Sequence, residues 1–482
     1  MLKKISVYSF GNILSAAVSF LLLPLYTRVL TPGDYGVLEL MYLAAAILVV
    51  IFGLNIELAY SRYYYLCSNE SERKRLFTTV QLFKLFCIVV IYLLLNSNRE
   101  FLVSNYFYFS KGELLLYLIF FSSSIESLIY TPLNLLRIKE RPWSYISVNM
   151  LNLLTTVFVT CYLLIFRNYG VEGVLYGKLI GALFSFLALF FLTIKEWTTR
   201  ISISRLRSLI GFSIFLIPIN FSSLLINLSN RFFLQEYQSL SDVGVFSLGS
   251  KIAAVIPILL SEPIKNAFIP HLFSMSSNIE YCKKSLAGFV QFYFVLVSIF
   301  VLGLSVYSKE IIQIFASESY LRSQEVVFIL SISNLLLGTS ALIVLAIHII
   351  KKTWIVTGIW MISAVFNVIL NIYFIPRFGN FGAALASLCS VFIILVLYFI
   401  STHKYFSLKV DYKSYLKVIF LLTMAFLICN QIKTNFYLEI LFKAIVIILY
   451  VFVLYTKLNV VDDFYKQRIR SFYFGVLTKF GF

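Results

Sequence analysis

The chain has 482 residues, of which 60% are hydrophobic and 13% are charged, and its mean hydropathy is +0.90. This composition excludes a soluble globular fold, because such a fold could not cover so much apolar surface, and it predicts an all-α polytopic membrane protein. The formal charge of +18 does not indicate a partner nucleic acid, since the basic residues lie in short connections between apolar runs and not on one exposed face with aromatic residues among them.

Fourteen apolar segments have roughly the length that spans a bilayer. The first follows MLKK and is too long for the apolar region of a cleaved signal, so we expect a retained helix. In chain order, the predicted spans are 5–27, 36–60, 77–95, 113–136, 143–166, 171–194, 209–229, 244–268, 285–307, 326–350, 353–375, 380–400, 416–432 and 437–456.

The positive charges predict the orientation. If the N-terminus is cytoplasmic, 26 of the 40 Lys and Arg residues fall in cytoplasmic connections or the tail, nine fall outside and five lie within spans. Because positive residues concentrate on the cytoplasmic side, both termini are expected in the cytoplasm. The cytoplasmic tail, 457–482, mixes charged and aromatic residues, which suits either a segment on the inner leaflet or a solvated tail.

An internal repeat relates the two halves of the chain. A shift of 208 residues places identical residues on one another: Asn12 on Asn220, Ser15 on Ser223, Asp34 on Asp242 and Gly36 on Gly244. The offset covers six helices, an even number, so both copies have the same orientation. The predicted architecture is two pseudo-symmetric six-helix lobes around a central cavity, at 1–200 and 205–400, followed by helices 13 and 14 at 416–456. This plan is typical of a transporter that rocks about its cavity.

Three blocks of sequence carry a family resemblance: PLYTRVLTPGDYGVLEL at 24–40, PINFSSLLINLSNRFFL at 218–234 with SDVGVFSLGSKI at 241–252, and IPRFGNFGAALASL at 375–388. Over most of residues 1–400 the chain resembles the polysaccharide (O-antigen or capsule) repeat-unit flippases of the multidrug/oligosaccharidyl-lipid/polysaccharide exporter superfamily. The resemblance implies a transporter and not an enzyme. In one departure, this chain has Asn230-Arg231 where many relatives have an Asp-Arg pair, which puts any coupling role of that Asp in doubt here.

The resemblance also implies cargo and partners. The cargo would be an undecaprenyl-diphosphate-linked oligosaccharide, flipped from the inner to the outer leaflet of the bacterial inner membrane. Membrane lipid, a proton or sodium ion, and the polymerase and chain-length proteins of the same pathway are the other expected partners. The sequence has no G-x-x-x-x-G-K-[ST] motif for ATP phosphates, and its three histidines are too dispersed for a metal site, so no cofactor is expected.

Cations are needed to meet the diphosphate of such a cargo. Arg28 and Arg231 lie where the first helix of each lobe ends outward, and a guanidinium can bind two phosphate oxygens. The alternative for both is an anchor at the membrane interface. Their proposed contact with the head group follows from the resemblance.

Five lysines lie within the predicted spans: Lys84, Lys178, Lys251, Lys265 and Lys443. A lysine at the bilayer centre costs about 2.5–3.5 kcal/mol, so each requires a partner, water or a route to the interface. Lys265 and Lys443 are near span ends and are expected to extend to the interface. Lys178 and Lys251 are expected to face the cavity, and Lys84 is equally deep.

Uncharged polar residues form a stripe on the seventh predicted helix. Asn220, Ser223, Asn227 and Asn230 recur at helical spacing and suit a sugar chain, and Asn12, Ser15 and Ser19 repeat the pattern more weakly on the first helix. The alternative is helix packing, because small polar residues hydrogen-bond between membrane helices.

Among the acidic candidates, Glu126 lies deepest within a predicted span, midway along 113–136. An ionisable residue midway along a span is a candidate for proton or sodium coupling, although it can equally be the partner of a lysine. Glu57, near Arg62, and Glu262, near Lys265, are expected to form local ion pairs.

Two other functions fit parts of the pattern. A multidrug exporter of the same superfamily would have the same two-lobe plan, but cationic cavity residues would repel cationic drugs. A membrane glycan polymerase or ligase would need a sizeable outer loop for catalytic groups, whereas the longest predicted outer connections, 96–112 and 308–325, have fewer than twenty residues.

Overall fold

The computed structural model describes residues 22–214, 217–274, 279–350, 352–408, 412–431 and 435–456. Across these residues the regular structure is helical and contains no strand, so the predicted all-α membrane fold is confirmed. The helices are α1 Leu23–Val29, α2 Pro32–Gly53, α3 Ile56–Tyr65, α4 Glu70–Ser97, α5 Arg99–Tyr106, α6 Gly112–Ile138, α7 Pro142–Cys161, α8 Gly170–Thr193, α9 Ile203–Ser213, α10 Ile217–Tyr237, α11 Leu240–Ala253, α12 Glu262–Ser274, α13 Ile279–Val306, α14 Ser308–Phe315, α15 Gln324–Ile349, α16 Thr353–Phe406, α17 Tyr412–Gln431 and α18 Phe436–Thr456.

Eleven helical segments in the described part of the chain are long and apolar enough to cross a membrane, or twelve if the bent pair α9 and α10 is one span. The predicted spans from 36–60 to 437–456 all fall on these segments. Most of the first predicted span, 5–27, lies outside the described residues, as does the tail. The count of fourteen therefore stays a prediction.

Two predicted spans, 353–375 and 380–400, both fall within α16. The backbone leaves the helical region at Gly379, with φ 53° and ψ −130°, a conformation that glycine adopts without a Cβ clash. Across the turn, Asn367 Nδ2 donates to Ser390 Oγ at 3.1 Å. A Cβ at Gly382 would lie 2.4 Å from the Phe374 carbonyl oxygen, so the two halves pack closely.

The second predicted span, 36–60, is broken in the structure. Between α2 and α3, Leu54 and Asn55 both have left-handed backbones, with φ of 44° and 58°. Such a conformation is unusual for leucine, because its side chain crowds the backbone. Hydropathy alone predicts one continuous helix here, because apolar residues continue across the break to Ile56, Leu58 and Ala59.

Residues related by the 208-residue repeat begin α2 and α11 in the same way. Thr31 and Asp34 form a capping box, in which the Asp34 amide donates to Thr31 Oγ1 at 3.2 Å. The Asp242 amide likewise donates to Ser239 Oγ at 3.1 Å. The shared caps satisfy helix-end donors and support the repeat.

The chain divides into two compact units. The first runs to Gly244 and includes Phe315–Tyr320, and the second contains Val245–Ile314 and the chain from Leu321 onward. In the first unit, one cluster of buried side chains joins α3, α4 and α9 around Tyr60, Phe77 and Leu209. The lobe boundaries inferred from the repeat, 1–200 and 205–400, remain predictions.

Candidate functional site

Lys178 and Glu126 form an ion pair in the first unit, which agrees with the alternative that Glu126 is the partner of a lysine. Lys178 Nζ on α8 lies 3.1 Å from Glu126 Oε2 on α6, and the two side chains are 23% and 32% exposed. Tyr130 Oη donates to Glu126 Oε1 at 3.4 Å, and the ammonium lies 5.4 Å from the centre of the Tyr42 ring. The pair is therefore accessible enough to exchange partners.

Arg231 is held by a carboxylate that the sequence analysis missed. Arg231 Nε on α10 lies 3.2 Å from Glu39 Oε2 on α2, and the side chains are only 9% and 4% exposed. Arg231 Nη1 also donates to the Asn227 carbonyl oxygen at 3.2 Å. This buried pair joins the two helices. A direct contact between Arg231 and the cargo stays a prediction.

Glu39 had a recognisable signal in the sequence. It is an acidic residue inside an apolar span, and such residues are functional or structural candidates by default. Its partner was not recognisable, because Arg231 lies far away in the chain.

Arg28 is exposed at the end of α1. The preceding residue, Thr27, fixes this end because its hydroxyl donates to the Leu23 and Phe315 carbonyl oxygens at 2.9 and 2.7 Å. Tyr320 Oη donates to the Leu30 carbonyl oxygen at 3.1 Å. The guanidinium therefore extends from a backbone that two hydrogen bonds from a distant segment hold in place.

The polar stripe of α10 divides into exposed and buried members. Asn220 and Asn227 are exposed, whereas Asn230 is buried. Asn227 Nδ2 donates to the Ser223 carbonyl oxygen of its own helix at 2.8 Å, and Asn220 lines a cavity together with Asn55 and Glu57. The predicted first-helix counterparts Asn12, Ser15 and Ser19 lie outside the described residues.

Lys84 and Glu57 correct one predicted ion pair. Glu57 does not pair with Arg62 but with Lys84, whose ammonium also donates to the Ser127 carbonyl oxygen at 2.8 Å. Lys84 is fully buried, and a buried ammonium requires a close carboxylate. The Arg62 guanidinium instead lies 4.9 Å from the centre of the Phe212 ring.

The other three lysines of the predicted spans, Lys251, Lys265 and Lys443, lie in the second unit. Lys265 pairs with Glu262 at 2.5 Å, as predicted. Lys443 is 4% exposed and pairs with Glu310 and, at 2.8 Å, with Glu439, and its extension to the interface stays a prediction. The two carboxylates stabilise its charge locally. Lys251 is half-buried on α11, and its role in the cavity stays a prediction.

The described residues contain no group of three or more His, Cys, Asp or Glu side chains able to hold a metal ion. The ionisable groups inside the spans are instead arranged as Lys–Glu and Arg–Glu pairs. Such pairs can bind an anion on the cationic side or a proton on the carboxylate when they open.

Comparison with known proteins identifies the family and the fold. A profile of the family described as polysaccharide biosynthesis protein matches residues 25–325. A protein of the Lsg locus of Haemophilus influenzae is 24% identical over 299 residues, which are 61% of this chain and 71% of that protein.

Solved membrane transporters share the fold. The lipid II flippase MurJ, in an inward closed conformation, matches with a TM-score of 0.78 at 16% identity, covering 96% of this chain and 99% of its own. An inward-facing multidrug resistance transporter of the MATE family and MOP superfamily matches with a TM-score of 0.62 at 11% identity, covering 83% and 97%. These identities show the fold alone. The chain is a multi-pass membrane protein that belongs to the polysaccharide biosynthesis protein family and has the fold of the lipid II flippase and the multidrug transporters.

Proposed function

We propose that this protein flips undecaprenyl-diphosphate-linked oligosaccharide repeat units from the inner to the outer leaflet of the bacterial inner membrane by alternating access. The observation that carries the proposal is the family match over residues 25–325 together with a lipid II flippase fold over 96% of the chain. The excess of positive charge in one set of connections supports cytoplasmic termini.

The accessible cations of the first unit suit the diphosphate of this cargo. Arg28 is exposed and Lys178 is partly exposed, so both can reach an anion without unfolding of a helix. Charge-assisted hydrogen bonds to phosphate are about twice as strong as neutral ones. The cations also favour this cargo over the cationic drugs of a multidrug exporter, because like charges repel.

The Lys178–Glu126 pair supports a link between cargo and ion. A cargo phosphate that binds Lys178 must compete with the Glu126 carboxylate 3.1 Å away. Once displaced, the carboxylate loses its nearest positive charge and binds a proton or a sodium ion more readily. Cargo and cation then favour each other's binding, and by linkage the effect is reciprocal.

Deletion of the gene is expected to leave lipid-linked single repeat units on the cytoplasmic face, because synthesis continues while transport stops. The measurement is extraction of the lipid-linked saccharides, with the surface polysaccharide examined in parallel. Restoration by the wild-type gene is the control. Normal surface polysaccharide in a strain with no second flippase would contradict the proposal.

Substitution of Lys178 by alanine is expected to slow flipping by about 10- to 100-fold, the value of a charge-assisted hydrogen bond. Glu126→Gln is expected to keep cargo binding but remove its dependence on pH or sodium. Flipping is measured in vesicles that contain fluorescent lipid-linked saccharide.

Lys111→Ala is the matched control. Lys111 also pairs with a glutamate, Glu172 at 2.7 Å, but it is 60% exposed and lies in a connection. The hydrogen bond that Lys111 donates to the Glu172 carboxylate raises the pKa of Lys111 above its ordinary value, so the control removes a charged lysine from a comparable pair. Equal activity of Lys178→Ala and Lys111→Ala would refute the role of Lys178.

A further inference from the structure

The break between α2 and α3 places an unused polar group inside the first unit. Asn55 has a left-handed backbone with φ 58°, and its Nδ2 atom is buried without a hydrogen-bond partner among the described residues. Buried amide donors are nearly always paired in native proteins. The neighbouring Leu54 also has a left-handed backbone, which is strained for leucine, and such strain concentrates at binding and switch sites. The unpaired amide therefore points to a ligand or an ordered water.

A cavity of about 230 Å³ lies beside this break. Its lining residues are Asn55, Glu57, Leu58, Ile219 and Asn220. At about 30 Å³ for each water, the volume corresponds to roughly seven or eight waters. This is enough for one sugar ring with its hydroxyl groups.

The polar lining has spare hydrogen-bond capacity. Asn55 Nδ2 is joined in the lining by the Glu57 carboxylate, which accepts from Lys84 through Oε1, and by the exposed side-chain amide of Asn220. Together they offer donors and acceptors within one small volume. Leu58 and Ile219 supply the apolar wall that suits the C–H face of a sugar.

The cavity is close to neutral. Lys84 neutralises Glu57 through its other carboxylate oxygen, and the lysine itself is fully buried. Among the described lining residues, a phosphate would meet no cation and would approach the Glu57 carboxylate. An uncharged ligand with many hydroxyl groups matches this lining best, because hydroxyls both donate and accept.

We propose that the cavity lined by Asn55, Glu57 and Asn220 binds one uncharged sugar ring of the lipid-linked glycan. This assignment rests on the proposed flippase function and adds to it a separate recognition site for sugar. Cations such as Lys178 would then bind the diphosphate, while the cavity would bind the attached sugar and so distinguish the glycosylated carrier from the bare one.

The test measures binding of two probes to the full-length protein in nanodiscs. One probe is undecaprenyl diphosphate alone, and the other is the same carrier with the repeat unit that accumulates in the deletion strain. Wild-type protein is expected to prefer the glycosylated probe. Asn55→Gly and Asn220→Ala should each reduce that preference about tenfold and leave affinity for the bare carrier unchanged.

Leu54→Gly is the matched control. Glycine accepts the left-handed backbone at either position, so Leu54→Gly and Asn55→Gly both keep the conformation of the break, but only the second removes an amide. Leu54→Gly should retain the sugar preference. Asn220 is exposed, so Asn220→Ala gives a second result independent of the break.

Each outcome separates the two proposals. If wild-type protein binds neither probe, the flippase function fails and the sugar site fails with it. If wild-type protein binds both probes equally, or if Asn55→Gly and Asn220→Ala keep the wild-type preference, the sugar site is wrong while the flippase function stands. Sodium-dependent stabilisation that Asn55→Gly removes, with sugar preference intact, would assign the cavity to a cation and overturn the proposal.

Discussion

Replacement of Arg231 by alanine is expected to lower the free energy of unfolding by about 3–5 kcal/mol, because it leaves the Glu39 carboxylate buried without its partner. Glu39 is 3% exposed, so water cannot replace the guanidinium without opening the contact between α2 and α10. The measurement is thermal and denaturant unfolding in detergent. Glu39→Ala should cause a loss of similar size.

Two further variants make this prediction specific. Arg377→Ala removes an exposed arginine that donates to a carbonyl oxygen of its own helix, and it should change stability little. The double variant Glu39→Leu/Arg231→Met removes both charges and should recover most of the lost stability. An Arg231→Ala protein as stable as wild type would disprove the buried ion pair. A stable double variant that fails to flip would support a cargo contact for Arg231.

The second large effect is expected at the repeat-related glycines Gly36 and Gly244. A Cβ added at Gly36 would lie 2.0 Å from the Leu240 carbonyl oxygen, and one added at Gly244 would lie 1.9 Å from the Pro32 carbonyl oxygen. The clashing atoms are backbone, so α2 and α11 would have to separate. Overpacking typically costs about 1–3 kcal/mol. Alanine at either glycine should lower the free energy of unfolding by an amount at or above the upper end of that range.

Gly303→Ala is the control for these glycines. No atom lies within 4 Å of a Cβ built there, and the residue is inside α13. Alanine should therefore stabilise this helix by up to about 1 kcal/mol. Opposite signs at Gly36 and Gly303, measured as shifts of the melting temperature, are the expected result. A neutral Gly36→Ala would show that the two helices do not approach as closely as described.

The reciprocal contact gives the repeat a physical meaning. Gly36 meets the carbonyl oxygen of Leu240, and its repeat mate Gly244 meets the carbonyl oxygen of Pro32, which is the repeat mate of Leu240. Two equivalent glycines at one crossing are the pattern that a local two-fold relation produces. Small residues at such a crossing let membrane helices approach closely.

Prediction from the sequence was most successful for features that residues close together in the chain determine. Hydropathy located the spans because a bilayer demands about twenty apolar residues for each crossing. The Glu262–Lys265 pair was predicted because residues three apart share a helix face. The turn at Gly379 falls between the predicted spans 353–375 and 380–400.

Prediction was wrong or incomplete for ion pairs whose partner lies on another helix. The sequence placed Lys443 near a span end but did not reveal its partners, Glu310 on α14 and Glu439. Glu57 was assigned to nearby Arg62 and pairs with Lys84 on another helix. Glu39 was overlooked, although it forms a buried ion pair with Arg231 in which the side chains are 4% and 9% exposed.

The sequence by itself determined that this is an all-helical membrane protein with a 208-residue repeat, because apolar length and residue identity are properties of the chain. Tertiary structure alone decided which carboxylate meets each buried cation and where α2 breaks from α3. The energy of a buried charge depends on the atoms that surround it, and those atoms come from helices distant in sequence. For the same reason, the pairing of Lys178 with Glu126 and the cavity at Asn55 became recognisable only when the helices were packed together.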